Sequence, residues 1–165
     1  MFELKKLSPD GVEVALQKAE RYRLLNEPWE AESICRDVLG VDPDNPRARV
    51  LLVLALTDQL RSANPPRVAE VQALADDLPE PYERAYYNGI ICERIGKARL
   101  ARGGPGTGPV VYDWLRQAMD WYLEAEARHP PGDDSALLRW NTCARLIDRY
   151  RHIAPAAEQP EAMLE

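Results

Sequence analysis

Histidine is scarce in this chain of 165 residues, and its few cysteines lie far apart. His129 and His152 have no ligand partner at helical spacing, and Cys35, Cys92 and Cys143 form no close pair. Zinc sites and disulfide frameworks depend on such close spacings. We therefore expect no metal site and no cofactor, and we interpret the cysteines as small buried thiols in a reducing compartment.

Long hydrophobic runs are also missing. The longest apolar run extends from Val50 to Leu56, which is far too short to span a bilayer. The opening residues MFELKKLSPDG contain no apolar core of the kind found in secretory signal peptides. Basic residues are not in excess either, because the net charge is −6. This balance argues against nucleic acid or a membrane as the main partner, and we expect a cytoplasmic protein.

The apolar residues that are present recur at helical spacing. With 45% apolar and 29% charged residues, the composition is that of an ordinary globular protein. Prolines that follow a capping residue mark helix starts at Ser8-Pro9 and Asn45-Pro46. The pattern predicts an all-α protein of about seven helices. Residues 1–150 form a single domain in this prediction, and residues 151–165 form a disordered tail.

The clearest helical unit covers residues 12–45. Two amphipathic helices meet at Asn26, which tolerates the left-handed conformation that ends helices, and Pro28 opens the second helix. Small or aromatic residues stand at Ala19, Tyr22 and Ala31, and the unit closes on a segment that contains Pro43. A unit of this kind cannot bury its apolar face alone, so copies of it should follow.

Two further units follow at residues 46–81 and 82–130, and both are less regular. The third helix, around Val50–Leu56, is apolar on all sides and is expected to lie in the middle of a stack. In the fifth helix, Gly89 and Gly96 indicate a close approach of a partner helix. The stretch from Gly103 to Pro109 is interpreted as a flexible, non-helical insertion.

These features resemble the tetratricopeptide repeat family, whose unit is a helix–turn–helix of about 34 residues. The first unit carries the resemblance through Ala19, Tyr22, Ala31 and Pro43, and Ala118, Tyr122, Ala125 and Pro130 repeat the second-helix spacing. The resemblance implies an α–α superhelix of about three repeats, with residues 133–150 as a C-terminal capping helix. It also implies a non-enzymatic scaffold that binds a protein or peptide partner.

In that family, ligands lie along the concave surface formed by the first helix of each pair. Carried over by helical geometry, the resemblance implies a mainly apolar groove with a charged rim, lined by Leu16, Glu20, Val50, Leu54, Tyr86, Ile90 and Arg94. Family members that clamp a terminal carboxylate use lysine and asparagine where this chain has Leu16 and Glu20, so that activity is not implied. A possible basic end lies on the last helix, at Arg139, Asn141 and Arg145.

Alternatives to a peptide-binding groove remain open. The same apolar residues could pack within the chain, or they could close a homodimer. The glycine-rich loop, Gly103–Gly108, could hold a phosphate or nucleotide, although Gly108 is followed by Pro109 instead of the lysine of a P-loop. No enzyme signature is found in the sequence, so we expect a protein without catalytic residues.

Overall fold

The computed structural model describes residues 2–156, and this part of the chain is all-α, as the sequence predicts. A 3₁₀ turn at Pro9–Gly11 precedes seven α-helices. They are α1 (Val12–Leu24), α2 (Pro28–Val41), α3 (Pro46–Asp58), α4 (Val68–Asp76), α5 (Pro81–Arg102), α6 (Thr107–Glu126) and α7 (Ser135–Arg149). None of these helices is long and apolar enough to cross a membrane.

The boundaries between the first helices follow from local chemistry. Asn26 adopts a φ of 60°, and the Glu27 amide donates to the Tyr22 carbonyl at 2.9 Å. This is the hydrogen bond by which a left-handed residue closes a helix C-terminus. At the start of α3, the Asn45 Oδ1 atom accepts from the Ala48 amide at 2.9 Å, and Pro46 occupies the first turn.

Each helix packs on the next, and α3 also contacts both α1 and α5. Glu13 and Arg47 pair near the starts of α1 and α3, whereas Arg23 and Asp58 pair near their ends. The two helices therefore run in the same direction, as the first helices of stacked helical pairs do.

Polar contacts between the first two helical pairs have a nearly constant separation in sequence. Arg47 and Glu13 are 34 residues apart, and Arg23 and Asp58 are 35 apart. Arg36 on α2 pairs with a glutamate of α4 that is also 34 residues away. The step from α1 to α3 and that from α2 to α4 are thus close to a 34-residue unit. The contacts of Arg94 on α5 with α3 span 37 and 40 residues, so the third unit is less regular.

The core consists of two clusters that meet at α5. The first contains buried residues of α1–α4 together with Ile91 and Ile95, and the second joins Ile90 and Cys92 to α6 and α7. As predicted, α3 is buried on several sides, with Leu51, Leu52, Val53, Ala55 and Leu56 all in the first cluster. Because α5 contributes to both clusters, the stack is continuous from α1 to α7.

The glycines of α5 have the packing role that the sequence indicates. A Cβ atom on Gly89 would lie 2.5 Å from the ring of Tyr122, and one on Gly96 would lie 3.3 Å from Trp114. Both contacts are with α6. Glycine therefore allows α6 to approach α5 closely, and this pair is the most closely associated in the stack.

The expected non-helical stretch from Gly103 to Pro109 is wrong for its last residues, because α6 begins at Thr107. Gly108 and Pro109 lie in the first turn of α6, where a backbone N–H has no partner within the helix and proline costs little. Gly108 is buried because the His152 carbonyl packs directly against its Cα.

The predicted disordered tail likewise starts too early. Ile153 is buried in the second core cluster, and its amide donates to the Tyr150 carbonyl at 2.8 Å. The chain is thus held against α6 for a few residues after α7 ends. The rest of the predicted tail, 157–165, lies outside the described residues.

Candidate functional site

A groove of about 540 Å³ lies across α1, α3 and α5 on the side of the stack that the sequence assigns to ligands. Its lining residues are Glu20, Arg23, Leu24, Pro46, Arg47, Val50, Leu51, Leu54, Glu83 and Tyr87. Each of the three helices contributes residues four positions apart, which lie one above the other on one helical face. Each of the three parallel helices therefore presents side chains to a ligand at intervals of one helical turn.

The floor of the groove is apolar. Val50 and Leu54 are half-buried on α3, and Tyr87 forms the wall on α5. Leu24, at the end of α1, stands at the edge of the groove with 88% of its surface exposed. An exposed leucine beside a half-buried apolar floor provides a surface that an apolar side chain of a ligand could cover.

The cations around the groove are already paired. Arg47 donates to Glu13 at 2.8 Å and lies 3.0 Å from a carboxylate oxygen of Glu20. Arg23 contacts Asp58 at 2.9 Å, and Arg94 reaches the same carboxylate at 2.6 Å. The charges of these guanidinium groups are thus compensated by carboxylates, with which an anionic ligand would have to compete.

Arg94 lies beneath the groove and connects α5 to α3. Its guanidinium donates to the Leu54 carbonyl at 3.0 Å and also to the Thr57 hydroxyl. Burial is the main reason why the pKa of Arg94 is lowered, although Asp58 opposes this shift. Arg94 is therefore part of the support of the groove floor rather than a ligand of its rim.

Glu83 is the one acidic lining residue without an ion-pair partner among residues 2–156. It is half-buried in the first turn of α5, one turn before Tyr87. Burial raises the pKa of Glu83, and the nearby charge of Glu80 raises it further. Burial, followed by the charge of Glu83, raises the pKa of Tyr87 to about 12. Both residues line the groove, four positions apart on one face of α5.

The structure brings only part of the predicted groove together. Glu20, Val50 and Leu54 do line it. Leu16 and Ile90 are core residues instead, each only 2% exposed. Their prediction as lining residues is wrong because an apolar side chain on the face between two packed helices is covered by the neighbouring helix.

Tyr86 is also absent from the groove, and Tyr87 takes its place. Tyr86 points towards α6 and α7, with its ring 6.0 Å from the ring of Tyr122 and its hydroxyl 3.3 Å from Arg139 Nε. One residue corresponds to a rotation of about 100° around a helix, so an error of one position moves a side chain to a different face.

Sequence reasoning missed Leu24, Glu83 and Tyr87 as lining residues. The signal that could have found them is the spacing of four residues that links Glu20 to Leu24 and Glu83 to Tyr87. Choosing that register would have required knowing how α5 is rotated against α3, which depends on tertiary packing.

The predicted basic end is wrong for Arg139. Its guanidinium donates to both carboxylate oxygens of Glu93, at 3.2 and 3.3 Å, so the charge is used within the fold. The charge of Glu93 raises the pKa of Arg139 against the opposing effect of burial. Asn141 is half-buried and Arg145 is exposed on the same helix, and the structure shows no site that the three residues share.

Glu93 is the centre of a buried polar cluster that joins α5, α6 and α7. It is 1% exposed, accepts from the Tyr122 hydroxyl at 2.6 Å and pairs with Lys97 and Arg139. Burial alone would raise the pKa of Glu93, but hydrogen bonds from Lys97 and Tyr122 and the charge of Arg139 outweigh it and lower the pKa. A buried carboxylate with three partners is a structural feature that holds the helices in one arrangement.

Outside the groove, the chemistry-bearing residues are dispersed. Burial raises the pKa of Cys35 to about 12, of Cys92 to about 11 and of Cys143 to about 12, so the thiols stay protonated. Among residues 2–156, no group of histidine, cysteine and acidic side chains is arranged to hold a metal ion. In the glycine-rich loop, the Thr107 hydroxyl donates to the Gly104 carbonyl at 2.8 Å.

No protein-family model, curated protein or solved structure matches this chain in sequence or structure comparison.

Proposed function

We propose that this chain is a cytoplasmic, non-enzymatic adaptor of the tetratricopeptide kind, and that a peptide or partner helix binds in the groove of α1, α3 and α5. The observation that carries this proposal is the groove itself, with an apolar floor, a rim of paired charges and an exposed leucine at its edge. The 34-residue separation of the inter-helix ion pairs supports the repeat class.

The size and the lining of the groove favour a polypeptide segment as the ligand. A volume of about 540 Å³ accommodates a few side chains. An amphipathic helix presents apolar residues three and four positions apart, and this spacing matches the one-turn separation of Val50 and Leu54 on α3. A short extended segment with two apolar side chains would fill the same space.

The test uses two leucines that are adjacent in sequence. Leu24 lines the groove and Leu25 does not, and both are largely exposed, at 88% and 59%. Replacing Leu24 and Leu54 together by glutamine removes apolar surface from the groove without adding charge. Leu25→Gln makes the same chemical change outside it.

Proteins captured from an extract of the native host by the three forms are then compared by quantitative mass spectrometry. We expect a set of proteins that the wild type and Leu25→Gln retain and that the groove variant loses at least tenfold. Circular dichroism of each variant verifies the helical fold. A groove variant that captures the same proteins at the same level would refute a binding role for the groove.

Self-association is the second candidate function, since exposed apolar residues cluster around the first helical pair. Besides Leu24 and Leu25, Trp29 on α2 is 66% exposed, and Leu4 lies beside it. A homodimer could cover these side chains. Light scattering over a concentration series separates this candidate from the first, because a strict monomer at all concentrations would reject it.

A further inference from the structure

We infer that the segment which binds this groove carries a lysine or arginine next to its apolar anchor, and that the cation pairs with Glu83. This inference rests on the proposed function and adds the chemistry of the partner. It commits the groove to one class of occupant, a polypeptide segment that combines apolar and basic side chains.

The charges around the groove are the first argument. Arg23 and Arg94 share Asp58, and Arg47 is bound between Glu13 and Glu20. Three cations thus face three carboxylates before Glu83 is counted. Adding Glu83 gives this set of side chains one uncompensated negative charge, and Glu80 adds a second nearby.

The surroundings of Glu83 are the second argument. Glu83 is half-buried in the lining that it shares with Tyr87, one turn away on α5, so its carboxylate has lost part of its hydration without gaining a cation. The adjacent Arg84 does not supply one, because its guanidinium donates to the Leu78 and Pro79 carbonyls, each at 2.8 Å. The first turn of α5 offers the carboxylate only the partial positive charge of a helix N-terminus.

The geometry of the groove is the third argument. Glu83 and Tyr87 are one turn apart on α5, and Val50 and Leu54 are one turn apart on α3. A ligand whose apolar side chain rests on Leu54 and Tyr87 therefore has a neighbouring position that faces Glu83. A cation at that position restores the solvation that the carboxylate has lost, whereas an acidic residue would be repelled by Glu83 and Glu20.

The experiment selects peptides without assuming a partner. A phage library of random 12-residue peptides is selected on the wild-type protein, after depletion on the variant in which Leu24 and Leu54 are both glutamine. Sequences that survive the depletion depend on the groove. We expect them to carry lysine or arginine within four residues of an apolar residue, and at a clear excess over aspartate and glutamate.

The role of Glu83 is then measured with the strongest peptide of the selection. Fluorescence anisotropy should show roughly a two- to fivefold weaker affinity for Glu83→Gln, the range expected for one partly exposed ion pair. Glu30→Gln removes the same charge from an exposed position on α2 outside the groove and should leave the affinity unchanged. Selection on Glu83→Lys should reverse the preference towards acidic peptides.

The possible failures are distinguishable. Neutral or acidic sequences that depend on the groove, or an unchanged affinity for Glu83→Gln, would overturn the inference and leave the proposed binding groove standing. A selection that yields no groove-dependent peptide would count against the groove as a peptide site, and the inference would fall with it. Glu83→Gln and Glu83→Lys alter a carboxylate that makes no ion pair, so both variants are expected to keep the fold.

Discussion

Gly89 offers the sharpest test of how α5 and α6 are held together. In Gly89→Ala, the new methyl group would lie 2.5 Å from one ring carbon of Tyr122 and 2.7 Å from another. The ring is fully buried, and its hydroxyl is fixed on Glu93 at 2.6 Å, so it has little freedom to move. We therefore expect the substitution to overpack the contact with α6 and also to break the hydrogen bond to Glu93.

The magnitude follows from three contributions. Overpacking a well-filled core costs about 1–3 kcal/mol, and loss of a hydrogen bond to a charged group costs about 1.5–3 kcal/mol. In the opposite direction, alanine stabilises a helix interior by about 0.5–1 kcal/mol relative to glycine. We expect a net destabilisation of about 3 kcal/mol, which lowers the Tm by about 6–12 °C for a chain of this size.

Urea unfolding followed by circular dichroism measures this change. Gly40→Ala is the matched control, because no atom lies within 4 Å of the new Cβ on α2, and it should stabilise the protein slightly. Tyr122→Leu removes the ring, so adding Gly89→Ala to that variant should cost much less than it does alone. A Gly89→Ala protein as stable as the wild type would refute the close packing of α5 on α6.

Three other predictions concern buried groups. Glu93→Gln should destabilise the protein by about 3 kcal/mol at pH 7. Because the folded-state pKa of Glu93 is lowered, its stabilisation is present above the unfolded pKa near 4.3 and is lost as pH falls through the folded pKa. The variant should therefore show a weaker acid dependence in urea titrations below about pH 5. Gly108→Ala should destabilise the protein by about 1–3 kcal/mol, measured by thermal unfolding, because its methyl group would overlap the His152 carbonyl. A disulfide reagent at pH 8 should label Cys35, Cys92 and Cys143 only as the chain unfolds, since burial raises the pKa of each thiol; rapid labelling of the folded protein would contradict this.

The helices were predictable from sequence because the residues at their ends determine where they begin and stop. Asn26 ends α1 and the Asn45-Pro46 pair starts α3, where structure and sequence agree closely. The error at Thr107–Pro109 has a physical origin, since glycine and proline break a helix interior but not its first turn. The burial of Ile153 could not be predicted from local sequence. The chain next to it packs on α6, where the His152 carbonyl lies against Gly108, and these segments are far apart in sequence.

The groove was less predictable than the fold. Placing Val50 and Leu54 required only the face of one helix, and both residues line the groove. Placing Tyr87 instead of Tyr86 required the rotation of α5 against α3, which Arg94 fixes through its contacts with the Leu54 carbonyl and Asp58. No local pattern in the sequence shows which arginine reaches across to another helix.

The buried cluster around Glu93 also explains where the groove ends. Between α5 and α7, Arg139 reaches across to Glu93 and to the Tyr86 hydroxyl, so these side chains fill the surface that a longer ligand would use. Tyr86 packs edge-on against Tyr87, with ring centroids 5.3 Å apart, and thereby separates the cluster from the groove. On the other side of these side chains, the groove across α1, α3 and α5 stays open. A ligand of this protein should therefore be short, and its contacts should end at Tyr87 and Glu83.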